Sequence, residues 1–440
     1  MSAESPSIYE IFEIISNNGK KSVDLRGGVI EFSYFEDVLS PMITAKAQIV
    51  NMGDTVVDKD KDLTSVYNGL PIRGGEKVNI RIPATASGPG LDFTKESGNQ
   101  LYVASITNIL QDALRETFTL TLVSREAITN ETSRVGKKFG PKISTSVKEI
   151  ISQYLLSEKN LEIDETENDY AFIGNLRTPY TILTWLSTKS VPAKAGGQRS
   201  TAGYFFYETK QGFHFKSVDA LIKKGTSIEP YEYTPNIVDT NDPNKDFKIL
   251  DVNINRNQDL IDNLERGSYA SQRMYYDPVY GKFTTQQQGE FKTSDYSKKM
   301  ENLGEDFNLG LPPVDASGKS ISDSPSRIVT GVIDRGITEK SDKNSKKQNA
   351  DQMNFHSQAM MRYQTIFRET TTITVPLNTN IIAGAILKLN FFKITSSKET
   401  IIDDSRAGLY MVKQCVHFYD NKGSFTQLRL IRDSIGVKDS

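Results

Sequence analysis

One cysteine, Cys415, is all that this chain of 440 residues contains. That excludes an internal disulfide and any zinc site built from several thiolates. Cys415 lies in the strand-like run "YMVKQCVHFY", where a small buried hydrophobe is expected. Histidine is nearly as scarce: His214, His356 and His417 are the three present, and none has an HExxH or i,i+4 partner. A metal or hydrolase centre would have to gather residues from distant parts of the chain. Charge of one sign is lacking too, with 53 Lys and Arg against 55 Asp and Glu, a net charge of −2. Such balance excludes a protein that grips nucleic acid by bulk charge. No apolar run approaches the roughly 20 residues of a membrane span. The opening "MSAESPSIYEIFEII" has no basic segment before an apolar stretch, so no secretory signal is expected.

Motifs for chemistry are also missing. "DKDKD" (Asp58, Asp60, Asp62) begins like a calcium loop, but Leu63 and Gly69 stand where such a loop needs Gly and Glu. A solvated loop is expected there. "RGGEK" (Arg73 to Lys77) has neither Walker spacing nor a following helix. It and "DLRGGVIEF" are expected to be turns or close backbone approaches. "KSDKNSKK" (Lys340 to Lys347) reads as an exposed segment that could meet a partner's acid patch. The Tyr-rich "GSYASQRMYYDPVYGKF" suits a core or a binding face equally. No catalytic residue, metal ligand or cofactor is assigned.

What the chain does have is alternation. Apolar residues make up 37% and charged residues 25%, a composition for several globular units. The stretch "LYVASITNILQDALRETFTLTLVSRE" from Leu101 and the stretch "LYMVKQCVHFYDNKGSFTQLRLIRDS" from Leu409 align without a gap. Both read as β-hairpins: an alternating arm, a polar centre, a second alternating arm. Leu101, Tyr102, Asp112, Leu120 and Leu122 match Leu409, Tyr410, Asp420, Leu428 and Leu430. Upstream, "GGEKVNIRIP" and "AGAILKLNFF" are Gly-led strands that place Val78, Ile80 and Ile82 against Leu387, Leu389 and Phe391. Further upstream, "ITAKAQIV" answers "TTTITVPL". Order and spacing agree across several strands, so one antiparallel module is expected twice. Each copy needs its edges covered or paired. Three such chains would make six similar units, which is a way to join a threefold object to a sixfold one.

The expected fold class is α+β, mainly antiparallel β. The first module occupies residues 1–130 and opens with a hairpin at Asn18-Gly19. Residues 131–228 form a small inserted α/β domain. Its "STSVKEIISQYLLSEKN" should be a helix capped by Ser146, with Glu149 completing a capping box, and Val147, Ile150, Ile151, Tyr154 and Leu155 on its apolar face. "RTPYTILTWLSTKSVP" should be a second helix, with Thr178 as cap and Pro179 in its first turn. Ile182, Leu183, Trp185 and Leu186 would bury one side. "GYFFYETKQGFHFKSV" should be a hairpin around Gln211-Gly212. The second module spans residues 229–290 and 361–440, interrupted by an irregular polar outer insertion at residues 291–360. "NFHSQAMMRYQTIFRE" should be helical.

The segments "VDLRGGVIEFSYFEDVLSPMITAKAQIVNMG", "RTPYTILTWLSTKSVP" and "GLYMVKQCVHFYDNKGSFTQLRLIRDS" together resemble the baseplate central hub subunit of T-even-like contractile-tailed bacteriophages, especially versions from phages of cyanobacteria. That family is related to tail-tube and type VI secretion hub proteins. The resemblance runs over most of the chain and is absent from about residue 290 to 360. It implies two tube-like β-barrel domains in one chain and a homotrimer whose six tube domains make a pseudo-sixfold ring. Implied partners are the central spike protein, tail tube or tube-initiator proteins, baseplate wedge proteins and the tape measure protein. DNA would pass through the lumen without sequence-specific binding, and the protein would lie in the virion, at the tail baseplate, after assembly in the host cytoplasm. The barrel framework would be the strands holding Val78 to Ile82, Leu120 to Leu122, Leu387 to Phe391 and Leu428 to Leu430. No glycine-punctuated β-helix or lysozyme segment is seen, so a fused spike is not expected. Two alternatives stay open: a tail-associated peptidoglycan-degrading enzyme using residues 131–228, where His214 is the only candidate, and the hub of a type VI-like injection machine.

Overall fold

The computed structural model describes residues 8–52, 56–57, 63–70, 72–84, 88–112, 114–140, 142–168, 170–193, 202–233, 244–256, 260–284, 289–293, 300–305, 318, 320–334, 355–393 and 401–437. The Asp58–Asp62 stretch and the Lys340–Lys347 stretch lie outside them.

The first part of the chain makes eight strands of one antiparallel sheet. They are β1 (Ile11–Ile15), β2 (Ser22–Asp24), β3 (Val29–Asp37), β4 (Thr44–Met52), β5 (Lys77–Ile82), β6 (Leu91–Phe93), β7 (Leu101–Gln111) and β8 (Arg115–Ser124). Their order is β3-β4-β8-β7-β5-β1-β2, with β6 on β5. Alternation decides which face is buried. Ala45, Ala47 and Ile49 of β4, Phe118, Leu120 and Leu122 of β8, and Val78, Ile80 and Ile82 of β5 point into one core with Phe12, Phe32 and Tyr34. The expected hairpin forms between β1 and β2: Gly19 takes φ 68, and Lys20 N donates to Asn18 Oδ1 at 3.0 Å.

A second core follows around helices α1 (Arg125–Thr132), α2 (Ile143–Gln153) and α3 (Pro179–Ser187) and strands β9 (Leu161–Ile163), β10 (Tyr204–Thr209) and β11 (Gly212–Ser217). Strand β10 is antiparallel and β9 parallel to β11. Helix α3 begins as expected, with Pro179 in its first turn. Helix α2 does not. It starts at Ile143, a turn before Ser146, and Ser146 Oγ donates back to Lys142 O at 3.2 Å. The expected capping box is absent because Thr166 Oγ1, from another segment, takes the Ser144 N–H at 3.0 Å and Glu149 pairs with Lys137 instead. Its apolar face is as expected, with Val147, Ile150, Ile151 and Leu155 buried. Helix α4 (Val218–Lys223) closes this part, capped by Ser217, whose Oγ accepts from Ala220 N at 3.2 Å.

The chain then supplies β12 (Tyr231–Glu232), β13 (Asp251–Arg256), β14 (Ala270–Asp277), β15 (Arg327–Val332), helix α5 (Phe355–Ile366), β16 (Glu369–Pro376), β17 (Ile386–Asn390), β18 (Gly408–Asp420) and β19 (Ser424–Arg432). Strands β13, β16, β19 and β18 line up in that order, with β17 on the first residues of β18. This repeats β3, β4, β8, β7 and β5, strand for strand and all antiparallel. Strand β14, the Tyr-rich segment, lies in a separate small sheet beside β15. The chain is thus α+β and mainly antiparallel, with two copies of one strand pattern. Closure of either copy into a barrel is not seen among the described strand pairs.

The repeat differs from the gapless alignment by one residue. Leu120 and Leu122 do correspond to Leu428 and Leu430, since they pair with Ile106 and Val103 as Leu428 and Leu430 pair with Cys415 and Val412. These partners show that Leu101 answers Tyr410, not Leu409, consistent with Val78 on Leu101 and Leu387 on Tyr410. The difference is absorbed at Asn108, a bulge residue at φ 53 that β18 has no counterpart for. Asn tolerates that left-handed backbone better than most side chains. Beyond the bulge the phase is restored at the hairpin turns. Asp112 Oδ1 accepts from Leu114 N at 2.9 Å, and Asp420 Oδ1 from Lys422 N at 2.6 Å.

Candidate functional site

The places where chemistry was sought turn out to be structural. Amides of "RGGEK" are occupied by the chain's own carboxylate: Arg73 N and Gly74 N both donate to Glu76 at 2.9 Å. In "DLRGGVIEF", a Cβ on Gly28 would sit 2.2 Å from Val50 O, so this is a close backbone approach. Cys415 is buried, and burial pushes its thiol well above the usual range. Among the described residues no group of three His, Cys, Asp or Glu side chains could hold a metal ion. No helix among them is long and apolar enough to cross a membrane.

Each histidine is held neutral. Burial lowers His417 to about 3, with Nδ1 3.0 Å from Thr426 Oγ1. It lowers His214 to about 4, and there Nε2 lies 2.8 Å from Thr209 Oγ1. His356 falls to about 4 through burial and the Arg273 guanidinium 3.2 Å away. A neutral, hydrogen-bonded His214 borders a cleft of about 530 Å³ with Glu162, Lys216 and Lys224. Its ring neighbours are the fully buried Thr209 hydroxyl on Nε2 and Glu162, 3.7 Å from Nδ1. These depressed values carry a pH dependence. Below about pH 6.5 the unfolded chain binds protons that the folded chain refuses, so stability falls with pH until the folded values are reached. We expect about 1–2 kcal/mol lost by pH 5 for each of the buried His214 and His417, and less for the half-buried His356. His417→Gln should make urea midpoints less sensitive to acid between pH 7 and 5; equal sensitivity would refute the assignment.

The notable polar groups are buried carboxylates that tie the parts of the chain together. Glu36, on β3 in phase with Phe32 and Tyr34, is 1% exposed. It accepts from Tyr34 OH at 2.8 Å, from Lys210 N at 2.9 Å and from Ala383 N at 2.9 Å. One side chain thereby joins the first module, the inserted domain and the second module. Burial raises its pKa, against the donors' pull. Glu208, on β10 in phase with Tyr204 and Phe206, accepts from Ile43 N at 3.1 Å, Ser124 Oγ at 2.8 Å and Lys159 Nζ at 2.6 Å. Lys159 also meets Glu126 at 2.9 Å. Arg362 of α5 lies 2.7 Å from Asp433 and 3.0 Å from Asp219. None of these nodes was picked out from sequence. Their signal is a charged residue in phase with buried apolar neighbours.

The modules meet through a strand pair. Gln414 to Asp420 of β18 run antiparallel to Asp37 to Glu31 of β3, so one sheet continues from the second module into the first. Tyr34 stacks on His417 and Phe32 lies against Tyr419 across this seam. Lys413 Nζ reaches Asp37 at 3.0 Å. The equivalent edge of β7 is open. Beyond Val103 no described strand pairs it on that side, and Leu110 is 70% exposed, with Leu114 and Met52 also exposed at the same end.

No family model matches the chain, and no curated protein matches it. Solved structures do, and they define a class: the fold is that of phage tail proteins. It is similar to the 43 kDa tail protein of prophage MuSo2 from Shewanella oneidensis, with TM-score 0.52, 9% identity, and coverage of 98% of this chain and 100% of that one. It is also similar to the tail protein from Neisseria meningitidis MC58, with TM-score 0.51, 11% identity, and 96% of each chain covered. A type VI secretion component from E. coli aligns more loosely, with TM-score 0.42, 8% identity, and 94% of this chain and 76% of that one covered.

Proposed function

We propose that this chain is the structural hub of a contractile phage tail baseplate. It assembles as a trimer whose six modules form a pseudo-sixfold ring between a sixfold tail tube and a trimeric central spike. The observation that carries the reading is the duplicated strand ladder, joined head to tail in one continuous sheet by the β18–β3 seam. Three chains so built present six similar units at one ring, while any outer feature repeats three times. The family resemblance and the tail-protein fold support the same reading.

The first tube-like domain is residues 1–130; the second is drawn from residues 229–290 and 361–440, without the β14–β15 sheet, which belongs with the outer insertion; the inserted domain (131–228) and outer insertion (291–360) face baseplate wedges. The ring's lumen passes the tape measure protein and then DNA, without reading sequence. The work is geometric, with no bond made or broken, and the protein resides in the tail of the virion. Sedimentation of the purified full chain tests this. A trimer, with six lobes around a hole in electron micrographs, is expected; a monomer, dimer or ring of six chains overturns it. The same protein should leave peptidoglycan intact; turnover abolished by His214→Ala would favour the enzyme instead.

A further inference from the structure

We propose that a second copy of this chain lays its β13 antiparallel along the open edge of β7, with Leu110 opposite Asn253, Ile109 opposite Ile254 and Gln111 opposite Val252. The inference rests on the trimeric hub reading and specifies the contact that closes it.

The chain supplies its own template. In the β18–β3 seam, Phe418 faces Ser33, His417 faces Tyr34 and Tyr419 faces Phe32. Strand register converts each of these positions to its repeat. Leu110 pairs with Thr117 as Phe418 pairs with Phe425, and Gln111 pairs with Glu116 as Tyr419 pairs with Ser424. On the other side, Tyr34 pairs with Ala45 and Phe32 with Ala47, as Ile254 pairs with Thr371 and Val252 with Ile373. Phe32 and Tyr34 face the core of the first module, and Val252 and Ile254 pack on the core of the second.

Both halves of the missing seam are bare. Ala104 to Gln111 of β7 are exposed apart from Ile106, whereas the same stretch of β18 is buried or half-buried. Strand β13 pairs only with β16 among the described residues. A long open edge bearing Ile109 and Leu110 invites another strand, and cross-strand apolar pairs stabilise it. Within one chain the two open edges stand at opposite ends of the strand order β13-β16-β19-β18-β3-β4-β8-β7 and share no described pair. A neighbour supplies the strand, head to tail, and three such contacts close a ring.

The test joins two exposed positions, Leu110→Cys and Asn253→Cys, with a short bis-maleimide; the native Cys415 is buried. Each single variant alone should give no covalent oligomer. Their mixture should give covalent dimers and nothing larger. The double variant should give covalent dimers and trimers. Leu110→Cys with Asp251→Cys, out of register, should cross-link several-fold less. Ile109→Lys with Leu110→Lys should shift the sedimenting species from trimer to monomer with unchanged circular dichroism. A trimeric chain that does not cross-link, or cross-links equally out of register, overturns the pairing and leaves the hub reading standing. A monomeric wild-type chain overturns both.

Discussion

Arg362→Ala is expected to cost about 3–5 kcal/mol, read as a large drop in the urea midpoint at pH 7. Arg362 is fully buried on α5 and faces Asp219 of α4 and Asp433, just past β19. It also donates to Glu301 O. Asp433 is already committed to Leu303 N at 3.0 Å and Ser434 Oγ at 2.7 Å. Removing the guanidinium takes from Asp219 and Asp433 the cation that both face and leaves a void where a long side chain stood. The penalty is that of orphaned charge, not the net worth of the ion pair. Arg362→Met combined with Asp219→Asn and Asp433→Asn should therefore recover most of the loss. A single-variant loss below about 1 kcal/mol, or a triple variant no better than Arg362→Ala, would refute this account.

How much of this was legible beforehand follows from how local each signal is. The hairpins, the duplicated order and the helix faces rest on periods of two and 3.6, which neighbouring residues carry. The inserted helices could be located from Pro179 and the apolar face of α2. The start of α2 could not, because Thr166, more than twenty residues away in the chain, provides the acceptor. The one-residue phase error in the repeat has the same kind of cause. Only a positive φ at Asn108 reveals the bulge, and an Asn within an alternating run is a faint sign of it. Reading "GSYASQRMYYDPVYGKF" as part of the second module followed sequence adjacency, whereas β14 pairs with β15 from within the polar insertion. The junction chemistry was out of reach as pairs: Glu36, Lys210 and Ala383 lie in three parts of the chain. Yet Glu36 and Glu208 each end an apolar face of a strand, and Arg362 falls in phase with Ala359 and Ile366. A charge in that phase implies a buried partner, though not which one.

The buried Lys159 node should give the other large effect, and with a pH signature. Lys159 lies between Glu126 and Glu208, both at most 1% exposed. Burial opposes every charge here. Even so, Glu208 and Glu126 hold the ammonium above its ordinary pKa. Glu126 is kept below the usual carboxylate range by Lys159, while Glu208 is raised by its burial. In Lys159→Met both carboxylates lose their cation, and a loss of about 3–5 kcal/mol is expected at pH 7. The folded pKa of Glu208 then rises further above the unfolded value, and that of Glu126 rises from its depressed position. As pH falls from 7 toward 5, the folded variant takes up protons that its unfolded chain does not. Bound protons are more numerous in the native state, so the variant gains stability relative to wild type. The gap between the two urea midpoints should shrink on acidification, with the histidine effect common to both and cancelling. Adding Glu208→Gln should shrink the gap at pH 7 and remove much of its pH dependence. A gap equal at pH 5 and pH 7 would mean that Lys159 acts by packing alone. Because Glu208 also holds Ile43 N and Ser124 Oγ, the same measurement reports how firmly the inserted domain is locked to the first module.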